Sequence, residues 1–164
     1  DRLISNYAKT CVGGSMKILN EMKLIIKAKS INEGFARSTV SAFCVGANLN
    51  FDELTEIKTA VSEAVTNCVV HAYPEKEGDI KIEVKLTENK IYISVSDEGV
   101  GIDNLEKVKE PFYTTKPEEE RSGMGFTVME SFMDKVEIRR NKKNGVTVFM
   151  EKNINFNGIR NFKK

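Results

Sequence analysis

The sequence predicts an α/β two-layer sandwich, with helices laid against a mixed, mainly antiparallel sheet. Three observations predict it. Leu54, Ile57, Val61, Ala64, Val65, Cys68 and Ala72 recur at three- and four-residue spacing, which is the stripe of an amphipathic helix. The period then switches to two: Ile80, Ile82, Val84 and Leu86 alternate with charged residues, and Ile91, Ile93 and Val95 follow the same pattern. Finally, the elements come in the order strand, helix, helix, two strands, loop, helix, two strands. That order segregates helices and antiparallel strands into layers, where a parallel βαβ sheet would alternate them.

Each element has its own signal. Residues 1–22 contain Gly13-Gly14-Ser15 and no sustained period, and are expected to be an N-terminal tail to a domain spanning 23–152, with 153–164 a C-terminal tail. Lys23 to Lys29 is rich in Leu and Ile between polar residues and predicts the first strand. Asn32 is placed to cap a helix carrying Ala36, Val40, Phe43 and Ala47 on one face, and Asn48 to Asn50 breaks it. Asp52 is expected to cap the second, longer helix, which Tyr73-Pro74 ends. Thr87 to Lys90 forms the turn between the two alternating strands. Asp103 to Ser122 is charge-dense, has no clean period and reads as a loop with room for one short helix. Gly125 to Met133 predicts a short helix, and Lys135–Arg140 and Val146–Glu151 a last strand pair around Asn144-Gly145.

Composition narrows the function. The chain has 164 residues, 25 basic against 24 acidic, so it lacks the basic excess from which a nucleic-acid binder draws affinity, and no nucleic-acid partner is expected. With 40% hydrophobic and 30% charged residues it suits one globular core. No apolar run approaches the ~20 residues of a membrane span, so no membrane partner is expected and a cytoplasmic location is. Cys11, Cys44 and Cys68 are scattered singly, and with the single histidine, His71, they offer neither a disulfide framework nor a zinc site. The near-zero charge is a sum of patches: 103–122 holds six acidic and four basic residues, and 152–164 four basic and no acidic ones.

Three clusters carry the chemistry. Counting by twos from Ile91 lands on Asp97, so the strand's apolar face ends in a carboxylate aimed at the core, followed by Gly99 and Gly101. A buried carboxylate needs a donor. An adenine amine would serve, with the glycines leaving room for the ring; a glycine turn whose amides bond Asp97 would serve equally. Ser122-Gly123-Met124-Gly125-Phe126 runs into a helix N-terminus, where free N–H groups and the dipole suit a phosphate, with Lys116 and Arg121 just before; the alternative is a tight turn with solvated charges. Glu63 and Asn67, four apart beside the apolar stripe, could activate a hydroxyl and ligate Mg²⁺, or simply bond each other on the surface. His71 continues their row and reads as a helix-end histidine touching the last carbonyls; Cys44 and Cys68 read as core residues.

In combination these blocks carry a likeness. Glu63-Ala64-Val65-Thr66-Asn67, Asp97-Glu98-Gly99-Val100-Gly101 and Gly123-Met124-Gly125-Phe126 resemble the N, G1 and G2 boxes of the Bergerat, or GHKL, ATP-binding fold shared by gyrase, Hsp90, histidine kinases and MutL. Asp52 to Lys58, Pro111 to Glu118 and Arg121 to Thr127 are similar to the anti-sigma-factor serine kinases of spore-forming bacteria, especially the sporulation anti-sigma-F branch, over about Met22 to Lys152.

The resemblance implies ATP and Mg²⁺ as cofactors. It places Asp97 on the adenine amine with Gly99 and Gly101 shaping the pocket, and Thr147 helping through its hydroxyl or a water. It places Asn67 on Mg²⁺, and Thr115, Lys116, Arg121 and the backbone of Ser122, Gly123, Met124, Gly125 and Phe126 around the phosphates. Glu63 becomes the general base for a serine of an anti-anti-sigma factor. A sigma factor of RNA polymerase and a second copy of the chain are the implied partners, with Arg37, followed by Ser38, the candidate sigma contact. Two other activities fit the same boxes: a nucleotide-gated sigma-binding module without turnover, and a stand-alone ATPase of the Hsp90 or MutL kind.

Overall fold

The computed structural model describes residues 17–103, 107 and 124–154. The chain order is β1 (Asn20–Lys27), α1 (Ile31–Cys44), α2 (Phe51–Asn67), β2 (Asp79–Leu86), β3 (Lys90–Asp97), α3 (Gly125–Phe132), β4 (Lys135–Arg140) and β5 (Val146–Asn153). The sheet runs β1-β2-β3-β5-β4, and every pairing among the described strands is antiparallel, with no parallel pair to make it mixed.

Alternation along the strands sorts the two faces. Ile80, Ile82, Val84 and Leu86 on β2, Ile91, Ile93 and Val95 on β3, and Val146, Val148 and Met150 on β5 point to one side. There they meet Ala36, Val40 and Cys44 of α1, Ile57, Val61, Ala64 and Val65 of α2, and Phe126 and Met129 of α3 in one buried core. The opposite face carries Glu83, Lys85, Tyr92, Ser94, Thr147, Phe149 and Glu151, also buried, with Glu83 paired to Lys81 at 2.8 Å and Glu151 to Lys90 at 2.7 Å.

Several boundaries differ from expectation, each for a local reason. β1 begins at Asn20, three residues before Lys23, because Asn20, Glu21 and Met22 pair with Leu86, Lys85 and Val84. α1 starts after Ser30, and Asn32 donates through Nδ2 to the Lys27 carbonyl at 2.9 Å instead of capping. α2 is capped by Asn50, not Asp52: the Asn50 side chain accepts from the Glu53 amide at 2.8 Å while Glu53 Oε2 accepts from the Asn50 amide at 2.9 Å. That reciprocal box satisfies two amides of the first turn and contributes about 1 kcal/mol. At its other end α2 widens into a π-helical turn, Cys68–Ala72, before Tyr73 leaves the helical region. The Thr87–Lys90 turn closes as expected, with the Thr87 amide donating to the Lys90 carbonyl at 2.9 Å. Asn144, in the left-handed region at φ 67°, turns the chain between β4 and β5.

Candidate nucleotide-binding site

The site is assembled where the end of β3, the end of α2 and the start of α3 meet. Glu63 and Asn67 occupy the last turn of α2, half-buried. α3 brings its N-terminus onto them: a Cβ built on Gly125 would lie 3.0 Å from Glu63 Oε2 and 3.3 Å from Asn67 Oδ1. The first amides of a helix are thus presented beside a carboxylate and an amide, which is the setting in which phosphate, a divalent cation and a base can share one space.

Asp97 takes up the core-facing position that the strand period requires and is 5% exposed. Its Oδ1 accepts from the Gly99 amide at 2.9 Å and the Val146 amide at 3.3 Å, and the Cys68 thiol donates to its Oδ2 at 3.6 Å. Burial raises its pKa from the ordinary carboxylate value; the Gly99 and Val146 amides and the thiol oppose that rise. The expected turn-amide bonds are therefore present, and they still leave an acceptor position open on Oδ2, since a carboxylate offers about four. The glycine-turn reading of this motif is met, and a position for a further donor remains beside it.

The glycines are dictated by space. A Cβ on Gly99 would overlap the Ala72 carbonyl oxygen, and Gly101 has φ 76° with the Asn144 carbonyl pressed against it. Beyond Gly101, Arg140 of β4 reaches across and donates from Nη2 to the Ile102 carbonyl at 2.6 Å and the Asp103 carbonyl at 3.1 Å.

Glu63, Asn67 and Gly125, with its chain neighbours Met124 and Phe126, are thus brought together; Asp97 and Gly99 are joined to the end of α2 through the π-helical turn, and Gly101 lies against Asn144. Thr147 is not among them: it pairs with Ser96 and lies on the sheet face opposite Asp97 and the core, so the adjacent Val146, through its amide, is the β5 residue that reaches the carboxylate. Strand alternation is the physical reason, and counting outward from Val148 and Met150 reveals it. Arg37 of α1 is half-buried, not simply exposed; it lies 3.5 Å from Glu33, and its Nε is buried with no hydrogen-bond partner among the described residues. Thr115, Lys116, Arg121, Ser122 and Gly123 lie outside the described residues. His71 is half-buried within the π-helical turn.

Sequence reasoning missed four contributors. Cys68 is a core residue, as expected, yet also a donor to Asp97. Tyr73 uses its hydroxyl twice, donating to the Asp79 carbonyl and accepting from the Glu98 amide, both at 2.8 Å. Asn141 donates to the Asp97 carbonyl at 2.7 Å, and Arg140 anchors Ile102 and Asp103. None sits in a motif; only the position of Cys68 immediately after Asn67 hinted at proximity.

The residues present fit a purine nucleotide with its cation: a buried carboxylate with one acceptor to spare, backbone cleared by glycines beside it, and an amide and a carboxylate facing a helix N-terminus that a Cβ would crowd. Among the described residues no helix is long and apolar enough to cross a membrane, and no group of three or more His, Cys, Asp or Glu side chains could hold a metal by itself.

Residues 27–152 match the family model of the histidine kinase-like ATPase domain. The chain is 53% identical over 137 residues to the anti-sigma F factor of Clostridium perfringens, covering 83% of this chain and 98% of that one. It is 51% identical over 136 residues to the anti-sigma F factor of Bacillus subtilis, covering 82% and 93%. Among solved structures, the RsbU and RsbW domains of a Mycobacterium tuberculosis protein share the fold at TM-score 0.61 and 17% identity, over 82% of this chain and 32% of that one. The catalytic domain of the histidine kinase ThkA does so at 0.53 and 22%, over 80% and 98%.

Proposed function

Since the chain belongs to the histidine kinase-like ATPase family, and within it to the anti-sigma F factors, we propose that it holds a sigma factor of RNA polymerase and, using Mg-ATP, phosphorylates a serine of an anti-anti-sigma factor. The observation that carries the kinase half is the approach of the Gly125 backbone to Glu63 Oε2 and Asn67 Oδ1. It supports a base and a cation ligand beside the amides of a phosphate-binding helix end.

In this reading Asp97 receives the adenine amine on its open acceptor, while Gly99 and Gly101 keep the backbone clear of the ring. Asn67 holds Mg²⁺, and the amides of Met124, Gly125 and Phe126, with Thr115, Lys116, Arg121, Ser122 and Gly123, surround the phosphates. Bound Mg-ATP supplies an activated phosphoryl group with its charge partly neutralised, so the protein's task is positioning. Glu63 contributes the remaining chemistry: it accepts the proton of the substrate serine and thereby makes that oxygen nucleophilic. No covalent enzyme intermediate is required.

On the binding half, Arg37 remains the proposed sigma contact, and the exposure of Ile31 and Phe35 on the same helix, 83% and 55%, supports α1 as a recognition surface. The assembled form is proposed to be a homodimer, which sedimentation would test.

The deciding experiment measures transfer of labelled γ-phosphate to the serine of the anti-anti-sigma partner. Glu63→Gln is expected to slow transfer about 100-fold or more while ATP affinity stays within about twofold. An unchanged rate would remove Glu63 from the role of base. Absence of ADP in the presence of the partner would replace the kinase by a nucleotide-gated binding module, and substantial hydrolysis without the partner would replace it by a stand-alone ATPase.

A further inference from the structure

The π-helical turn Cys68–Ala72 is stitched to the end of β3 at three successive points. The Cys68 thiol donates to Asp97 Oδ2 at 3.6 Å, the Glu98 amide to the Tyr73 hydroxyl at 2.8 Å, and the Val100 amide to the Ala72 carbonyl at 2.9 Å. The third is a tie between backbone groups, and the second joins a backbone amide to the Tyr73 side chain, whose hydroxyl also bonds the Asp79 carbonyl. The first is different, because it acts on the one side chain in the segment that is buried, ionisable and placed to meet a ligand.

Counting acceptor positions shows what the thiol does. Oδ1 is filled by the Gly99 and Val146 amides, and Cys68 takes one position on Oδ2. One is left, and its direction is set by the other three. We propose that Cys68 is a positioning residue for base recognition: its thiol orients the Asp97 carboxylate so that a single acceptor faces the site, and this favours a 6-amino purine over a 6-oxo purine. The inference rests on the nucleotide reading above. A 6-amino group donates into that open acceptor; a 6-oxo group turns an acceptor toward it and is repelled. Remove the thiol, and the carboxylate loses one of the donors that hold it ionised and oriented, so the contrast between the two bases shrinks.

The test compares dissociation constants for Mg-ATP and Mg-ITP in the full chain carrying Cys68, Cys68→Ala, Cys68→Val and Cys68→Ser. In the alanine and valine variants ATP affinity is expected to fall about three- to tenfold, with ITP affinity changing less than about twofold. Serine restores the donor and with it the original ATP-to-ITP ratio. Valine fills the thiol's space, so the test survives if alanine destabilises the fold. An unchanged ratio in the valine variant, or a serine variant that behaves like valine, would overturn the proposal while leaving ATP binding intact. Wild-type protein that binds neither nucleotide would overturn the nucleotide reading itself, and this inference with it.

Discussion

Replacing Gly125 with alanine separates the stability of this fold from its chemistry. The backbone at Gly125 lies outside the left-handed region, so alanine is sterically allowed and adds helix preference at the start of α3. By itself that stabilises by about 0.4–1 kcal/mol and raises Tm by about 1–4 °C. The new methyl, however, would stand 3.0 Å from Glu63 Oε2 and 3.3 Å from Asn67 Oδ1, tighter than ordinary contact. Both neighbours are side chains on the last turn of a helix and can retreat by a few tenths of an ångström at little cost in stability. In its proposed role of base, Glu63 cannot retreat without penalty. If misplacement by 1 Å costs about 100-fold, a few tenths should slow phosphoryl transfer about five- to tenfold. Calorimetric melting and the labelled-phosphate assay on one preparation measure both quantities. A Tm at or above wild type with reduced transfer supports the geometry. Full transfer would mean that Glu63 and Asn67 do not act at this helix end, and a Tm drop beyond about 4 °C would mean that they cannot yield. Gly99→Ala provides the contrast: its methyl meets the Ala72 carbonyl, which is backbone. A loss of about 3 kcal/mol or more is expected there.

Two further outcomes follow from the buried ionisable groups. Asp97→Asn turns an amide toward a donor and removes a charge-assisted acceptor, so ATP affinity should fall at least about 100-fold in calorimetric titration; unchanged affinity would sink the adenine assignment. Cys44 is pushed by burial up to about 12 from 9.0. Above pH 9 the unfolded thiol releases its proton while the folded one keeps it, so the unfolded state binds fewer protons and stability falls as pH rises. The loss from this residue is about 1.4 kcal/mol by pH 10. Urea melts at pH 8 and pH 10 should show a pH-dependent loss smaller by about that amount in Cys44→Ala; identical losses would contradict the shift.

What could be read in advance followed the reach of each signal. Strand parity extends over eight residues and correctly aimed Asp97 at the core. The same parity, applied to Val146, Val148 and Met150, would have turned Thr147 away, but its role came from the family likeness instead of from counting. The Asn50–Glu53 capping box was legible as an Asn followed three residues later by Glu, and was obscured by Asp52 as a competing cap. The π-helical turn left no trace in the periodicity, because Cys68 and Ala72, four apart and both buried, continue the apolar stripe of α2. The contacts of Cys68, Tyr73 and Asn141 with 97–98 span 25 to 44 residues of sequence and exist only once the sheet has formed.

The π-helical turn also determines where this chain can tolerate a change of length. Its five residues hold one more than an α-helical path between the same ends would need. Deleting one residue between Cys68 and Ala72 would return the segment to ordinary helix geometry and leave the chain on either side in phase, because the α-helical path joins the same ends. The same deletion earlier in α2 would rotate everything beyond it by about 100° and turn the Ala72 carbonyl away from Val100 and the Tyr73 hydroxyl away from Glu98. Surface loops usually absorb insertions and deletions while helices resist them through their cores. Here a helix end holds one residue of slack, so for these five residues length is freer than it is anywhere else in α2.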